Sequence, residues 1–96
     1  MQDDTFEWDD EKARTNHLKH GVAFEEARLI FSDPGFVDEP DDTMTYGEER
    51  FRALGMANGR LMAVCYSLRD DRFRIITAPL ANRKEHRDYA RQNPPT

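Results

Sequence analysis

Polar and apolar residues alternate along Arg50-Phe51-Arg52-Ala53-Leu54 and again along Arg72-Phe73-Arg74-Ile75-Ile76-Thr77. A period of two marks a strand with one face buried. Between them, Arg60–Leu68 is nearly all apolar, as in a central strand covered on both faces. Asn58-Gly59, the strongest short hairpin signal, and Arg69-Asp70-Asp71 supply the connections. An antiparallel meander from Arg50 to Thr77 is therefore predicted, with Phe51, Ala53, Leu61, Ala63, Cys65, Phe73 and Ile75 helping to form the core. The second connection is too short for a parallel crossover.

The first half reads differently. Phe6 and Trp8 alternate with polar neighbours, which predicts a short opening strand. Asp9 or Asp10 can cap a helix running to about His20. Lys19 and His20 suit the negative carbonyl end of that helix, and Gly21 supplies the left-handed residue that stops it. A second helix is predicted over about Phe24 to Phe31, with Glu25 and Glu26 in its first turn and a stop at Ser32-Asp33-Pro34-Gly35. A brief strand is expected around Phe36–Asp38, and Pro40 to Gly47 is polar enough for a loop. Asn82 followed by Glu85 forms an asparagine-led capping box. The helix it opens spans about Arg83–Gln92 and ends before Pro94-Pro95. Neither a repeat nor a linker divides the chain, so residues 1–96 are expected to form one domain.

Composition narrows the class. With 38% hydrophobic and 34% charged residues the chain is globular, and no apolar run approaches the roughly 18 residues of a membrane span. The opening Met-Gln-Asp-Asp-Thr is acidic, the reverse of a secretory signal. The single cysteine, Cys65, sits in an apolar run and is expected to be a buried structural thiol. A cytoplasmic protein without a membrane partner follows as the expectation.

The net charge of −5 conceals a division. Residues 1–49 hold fifteen Asp and Glu against four Lys and Arg, and residues 50–96 hold four against ten. A basic second half leaves room for nucleic acid; equally, the two halves can neutralise each other within one fold.

Alternation places Arg50 and Arg52 on one face of their strand and Arg72 and Arg74 on one face of theirs. If the faces coincide, the sheet carries a guanidinium cluster able to bind phosphate bidentately. The ordinary alternative is a solvated face paired with the acidic half. Familiar catalytic motifs are missing: there is no Gly-rich phosphate loop, Cys-x-x-Cys or His-Glu-x-x-His. His17 and His20 share a helix but lack a third ligand at helical spacing, so no metal or other cofactor is expected. His86 is expected at the surface, and Ser67 has no nucleophile-elbow context.

Taken together, several short segments carry a resemblance. Trp8-Asp9 with Lys12 and Asn16, then Lys19-His20-Gly21-Val22, Phe24-Glu25-Glu26-Ala27 and Phe31-x-Asp33-Pro34 are similar to the BrnT toxins. Gly47-Glu48-Glu49-Arg50, Gly55, Arg74-Ile75-Ile76-Thr77-Ala78, Ala81, Glu85 and Tyr89 continue the match in order. The resemblance implies an α+β, RelE-like fold, with N-terminal helices packed on a twisted antiparallel sheet and a C-terminal helix. It also implies a metal-independent ribonuclease toxin of a type II toxin–antitoxin pair. The implied partners are RNA as substrate, a BrnA-like ribbon-helix-helix antitoxin, and operator DNA only through that antitoxin.

In that setting Arg50 and Arg74 are the candidates for phosphate and transition-state contacts. Lys19 or His20 serves proton transfer or RNA binding, and Glu49 is a candidate general base. Arg52, Arg72, Arg83 and Tyr89 complete the RNA-binding set. Each has a plainer rival, such as helix-end charge for Lys19 and His20, or pairing with Arg50 for Glu49. Two departures stand out. Relatives usually end the last strand Ile-Ser-Ala-Arg where this chain has Ile76-Thr77-Ala78-Pro79, which implies a weakened enzyme or an inactive antitoxin-binding partner acting in operon autoregulation. Ala23 stands where relatives tend to have Ser or Thr, at a cost of about 1 kcal/mol in helix capping.

Overall fold

Two tight turns in left-handed backbone set the second half of the chain. Asn58 and Gly59 have φ of 53° and 78°, and Asp70 and Asp71 have φ of 52° and 62°. Turns with two positive φ values match the twist of the strands they join. A computed structural model describes residues 1–41 and 49–95. The predicted Gly47-Glu48 motif and most of the expected Pro40–Gly47 loop lie outside the described residues.

The turns join β3 (Arg50–Ala57), β4 (Arg60–Arg69) and β5 (Arg72–Thr77) in the expected antiparallel meander. β2 (Val37–Asp41) pairs antiparallel with β3, and β1 (Phe6–Glu7) pairs parallel with β5. The sheet therefore has the order β1-β5-β4-β3-β2 and is mixed, not purely antiparallel as expected. Residues 8–71, two thirds of the chain, separate β1 from β5, which leaves room for a parallel return that no local pattern announces. β2 runs to Asp41 and takes in Pro40, which was expected in a loop. An edge strand tolerates proline because it has a side with no ladder to donate to.

α1 (Asp10–His20) is capped by Asp9, which accepts from Lys12 N–H, and stops at Gly21 with φ of 68°. α2 (Phe24–Ala27) lacks a side-chain cap at Ala23 and tightens into a 3-10 turn over Arg28–Ser32. The expected eight-residue helix is thus one α-helical turn followed by 3-10 geometry. The tightening brings Ile30 onto β3 at Gly55, where an added Cβ would come within 2.6 Å of the Ile30 Cβ. α3 (Arg83–Gln92) carries the predicted capping box, with Asn82 and Glu85 each bonding the other's backbone N–H.

The main core lies between one sheet face and the α2 region. Ala53, Ala57, Met62, Val64, Tyr66 and Ile75 meet Trp8, Val22, Phe24, Ala27 and Ile30, with Phe51 and Phe73 packed at the margin. Leu61, Ala63 and Cys65, also expected in this core, occupy the opposite face. Leu61 and Ala63 are buried there, while Cys65 is only half-buried. β4 is covered on both sides along much of its length, so its apolar run carries no alternation to say which side is which. α3 lies over that second face at β3, leaving a cleft of about 220 Å³ bordered by Arg52, Leu54, Lys84 and Asp88.

Candidate functional site

Register, more than sequence spacing, builds the site. Asp41 faces Arg50, Arg50 faces Ser67, Ser67 faces Arg74 and Arg74 faces Glu7. Directly paired residues share a sheet face. One row therefore crosses all five strands, with two guanidinium residues flanking a fully buried serine. The two arginine-bearing faces, whose coincidence alternation alone left open, do coincide.

Within this row the arginines differ. Arg74 Nη1 donates to Glu7 Oε2 at 2.7 Å, and the Glu7 side chain is only 13% exposed. The buried Nε of Arg50 has no hydrogen-bond partner. Burying a donor without a partner is costly, so Arg50 carries unspent capacity for an anion. Glu49 precedes it in the chain and is exposed.

Other residues named from sequence fall elsewhere. Arg52, one row along, is held by Glu39 and by Glu85 at 3.2 Å. The Glu39 bond, helped by the charges of Glu39, Glu85 and Asp41 and opposed by burial, raises its already high pKa. Arg72 Nε donates to the Asp3 carbonyl at 2.6 Å, near the sheet margin. Arg83 is exposed at the start of α3. Tyr89 gives its hydroxyl to Asp33 at 2.6 Å; burial and that carboxylate push its pKa up to about 12. Lys19 and His20 border a cavity of about 270 Å³ between α1 and β5.

Glu7 was missed as a site residue. Its signal was present in the alternation Phe6-Glu7-Trp8, which puts it opposite the apolar pair, but its partner Arg74 is identified only by the parallel β1–β5 pairing. Asp41 was missed for a similar reason, lying in a stretch that looked like loop.

The family model described as the ribonuclease toxin BrnT of a type II toxin–antitoxin system matches residues 8–85. The chain belongs to the BrnT family. Membership implies ribonuclease activity, with RNA as the substrate class and an antitoxin as partner. The BrnT match spans Lys19, His20, Glu49, Arg50 and Arg74, and leaves Glu7 and all but the first turn of α3 outside it. No curated protein matches the chain. No helix among the described residues is long and apolar enough to cross a membrane.

Proposed function

We propose that the chain is a metal-independent endoribonuclease that cuts RNA on the sheet face carrying Arg50 and Arg74. The observation that supports this most is their shared row across Ser67, with the Arg50 Nε buried and without a hydrogen bond. In the reaction the 2′-oxygen of one ribose bonds to the adjacent phosphorus, and the bond to the 5′-oxygen of the next nucleotide breaks. A base takes the 2′-OH proton and an acid supplies one to the leaving oxygen. Guanidinium groups fixed on rigid strands stabilise the charge on the phosphorane between these steps.

Arg50 and Arg74 take the phosphate. Glu49, which precedes Arg50, and Glu7, which bonds Arg74, are the candidate carboxylates for the 2′-OH proton. Lys19 and His20 serve RNA binding or protonation of the leaving oxygen, and Arg52, Arg72 and Arg83 contact the backbone further out. Tyr89 supports α3 through Asp33 and is left out of the contact set. A RelE-like arrangement, a single domain, a BrnA-like ribbon-helix-helix antitoxin, operator DNA reached through it, translation arrest and a cytoplasmic setting belong to the same reading.

Pro79 favours a second reading, an inactive antitoxin-binding partner acting in operon autoregulation. One experiment separates them: incubate the purified chain and its Arg50→Ala variant with single-stranded RNA in the presence of a chelator. Cleavage by the first and not the second supports the nuclease. An inert chain that still binds a ribbon-helix-helix antitoxin supports the second reading.

A further inference from the structure

The ladder between β4 and β5 contains an irregularity that bears on substrate choice. Cys65 pairs with Thr77 and Tyr66 pairs with Ile75, so Ile76 is an extra residue on β5. Ser67 pairs with Arg74, and Cys65 and Ser67 share a face, so Thr77 and Arg74 share it too despite their odd separation. A bulge of this kind re-aims side chains and recurs beside active sites. Here Ile76 and Thr77 form one wall of the cavity whose other wall is α1.

β1 pairs only with Phe73 and Arg74, so it leaves β5 beyond Arg74 without a strand neighbour on that side. Asn16 of α1 closes the far end, accepting from Ala78 N–H at 3.0 Å and donating to the Ala78 carbonyl at 3.1 Å. The space between is bordered by Lys12, Thr15, Lys19, His20, Ile76 and Thr77, with Glu11, which pairs with Arg14, at its rim. Among the described residues, none of the Lys12, Lys19 and His20 side chains has an ion pair or hydrogen bond. The cavity thus combines an apolar wall with three unengaged basic side chains and one carboxylate already paired with Arg14, and it begins within two residues of Arg74.

We propose that this cavity holds one base of single-stranded RNA, next to the phosphate bound by Arg50 and Arg74, and so sets cleavage preference. The inference rests on the nuclease reading. A volume of about 270 Å³ lies just below the range of about 300–1,000 Å³ typical for drug-sized ligands, which suits one heterocycle and excludes a base pair. Ile76 offers the base an apolar surface. Lys12 and Lys19, two turns apart on one side of α1, meet the flanking phosphates. Asn16 is fully engaged with backbone, so base-edge selection falls to the Thr15 hydroxyl and His20.

The test uses labelled single-stranded RNA octamers with 2′-O-methyl riboses, which cannot be cut, and one abasic residue stepped along the strand. Binding to the full chain is followed by fluorescence anisotropy at low salt. One position is expected to lose about ten-fold in affinity when its base is removed, the scale of one stacked base. Thr15→Trp fills the cavity and is expected to abolish that sensitivity. Lys19→Ala weakens all octamers alike, and Leu18→Ala, an exposed neighbour on α1, changes nothing. A flat abasic profile in the unmutated chain overturns the proposal, whether or not Thr15→Trp folds; so does an unchanged profile in a folded Thr15→Trp. If that variant instead releases the antitoxin and keeps the RNA profile, the cavity belongs to a protein partner and the proposal falls. RNA binding that ignores Arg50→Ala sinks the nuclease reading itself, whereas binding through Arg50 with a flat profile sinks only the cavity.

Discussion

Arg50 and Arg74 flank the same buried serine, yet their surroundings predict different costs of removal. Arg74→Ala strands the Glu7 carboxylate, most of whose surface is buried. A buried group deprived of its partner costs about 1–3 kcal/mol, and the remaining solvent access puts this one near the lower end. Arg50→Ala removes an Nε that makes no hydrogen bond, so its melting temperature should fall less. Each change should weaken RNA binding and reduce the salt dependence of log K by about 0.7, the value for one phosphate contact on a single strand. Melting curves and salt titrations of both variants check this; an Arg50 variant that is the less stable and keeps its RNA affinity would sink the assignment. The arginine face was legible because a strand's period of two is a local property. Glu7 was not, because its role depends on a pairing with a residue far away in the chain.

Elements were legible where a residue's own chemistry sets them. Gly21, Asn58-Gly59 and the Asn82–Glu85 box fall where their sequence signals put them. The 3-10 turn after α2 is set by packing instead, because Ile30 must sit on β3 where Gly55 offers no side chain. Gly55→Ala should therefore destabilise the fold by about 1–3 kcal/mol, as overpacking does, and denaturant unfolding measures it. The opposite layer is held by polar contacts. Asp33 accepts from Tyr89 Oη, Met56 N–H and Gly35 N–H, tying α3 and β3 to the turn after Ser32. Burial works against ionisation of Asp33, but those three hydrogen bonds outweigh it and hold its pKa below the ordinary 3.8. A carboxylate with a lowered folded pKa contributes stability that is fully present above its unfolded value and lost as pH falls through the folded one. Asp33→Asn should thus melt below the unmutated chain at pH 7, and the gap should narrow as pH drops under 3.8. A gap that stays constant down to the lowest pH would show that ionisation of Asp33 contributes nothing to stability.

At the scale of the whole molecule, the two halves of the charge division neutralise each other in part. Glu7, Glu26 and Glu39 of the acidic half pair with Arg74, Arg60 and Arg52 of the basic half. Arg50 and, in α1, Lys12, Lys19 and His20 are outside that pairing among the described residues, which leaves positive charge for a partner, whereas Arg14 pairs with Glu11. Pro79 completes the picture of the same face. It follows the end of β5, where a missing N–H is tolerated, and its carbonyl accepts from Ala63 N–H at 3.0 Å. Ala78 is in the main core and Leu80 bridges to Met62 of that core face, so alternation turns position 79 toward the arginine face. An arginine there would lie on the same face as Arg50 and Arg74, two paired rows along, and would reach toward them without disturbing the carbonyl bond. A guanidinium aimed at the phosphorane contributes about 3 kcal/mol, roughly a hundredfold in rate. Pro79→Arg should therefore speed RNA cleavage by about that factor and arrest growth when induced, with relief by a co-expressed antitoxin. Antitoxin affinity should change little, because binding spread over many contacts seldom hangs on one side chain. If the arginine leaves the cleavage rate unchanged, position 79 does not reach the reacting phosphate, and the sheet row of Arg50 and Arg74 must carry the chemistry alone.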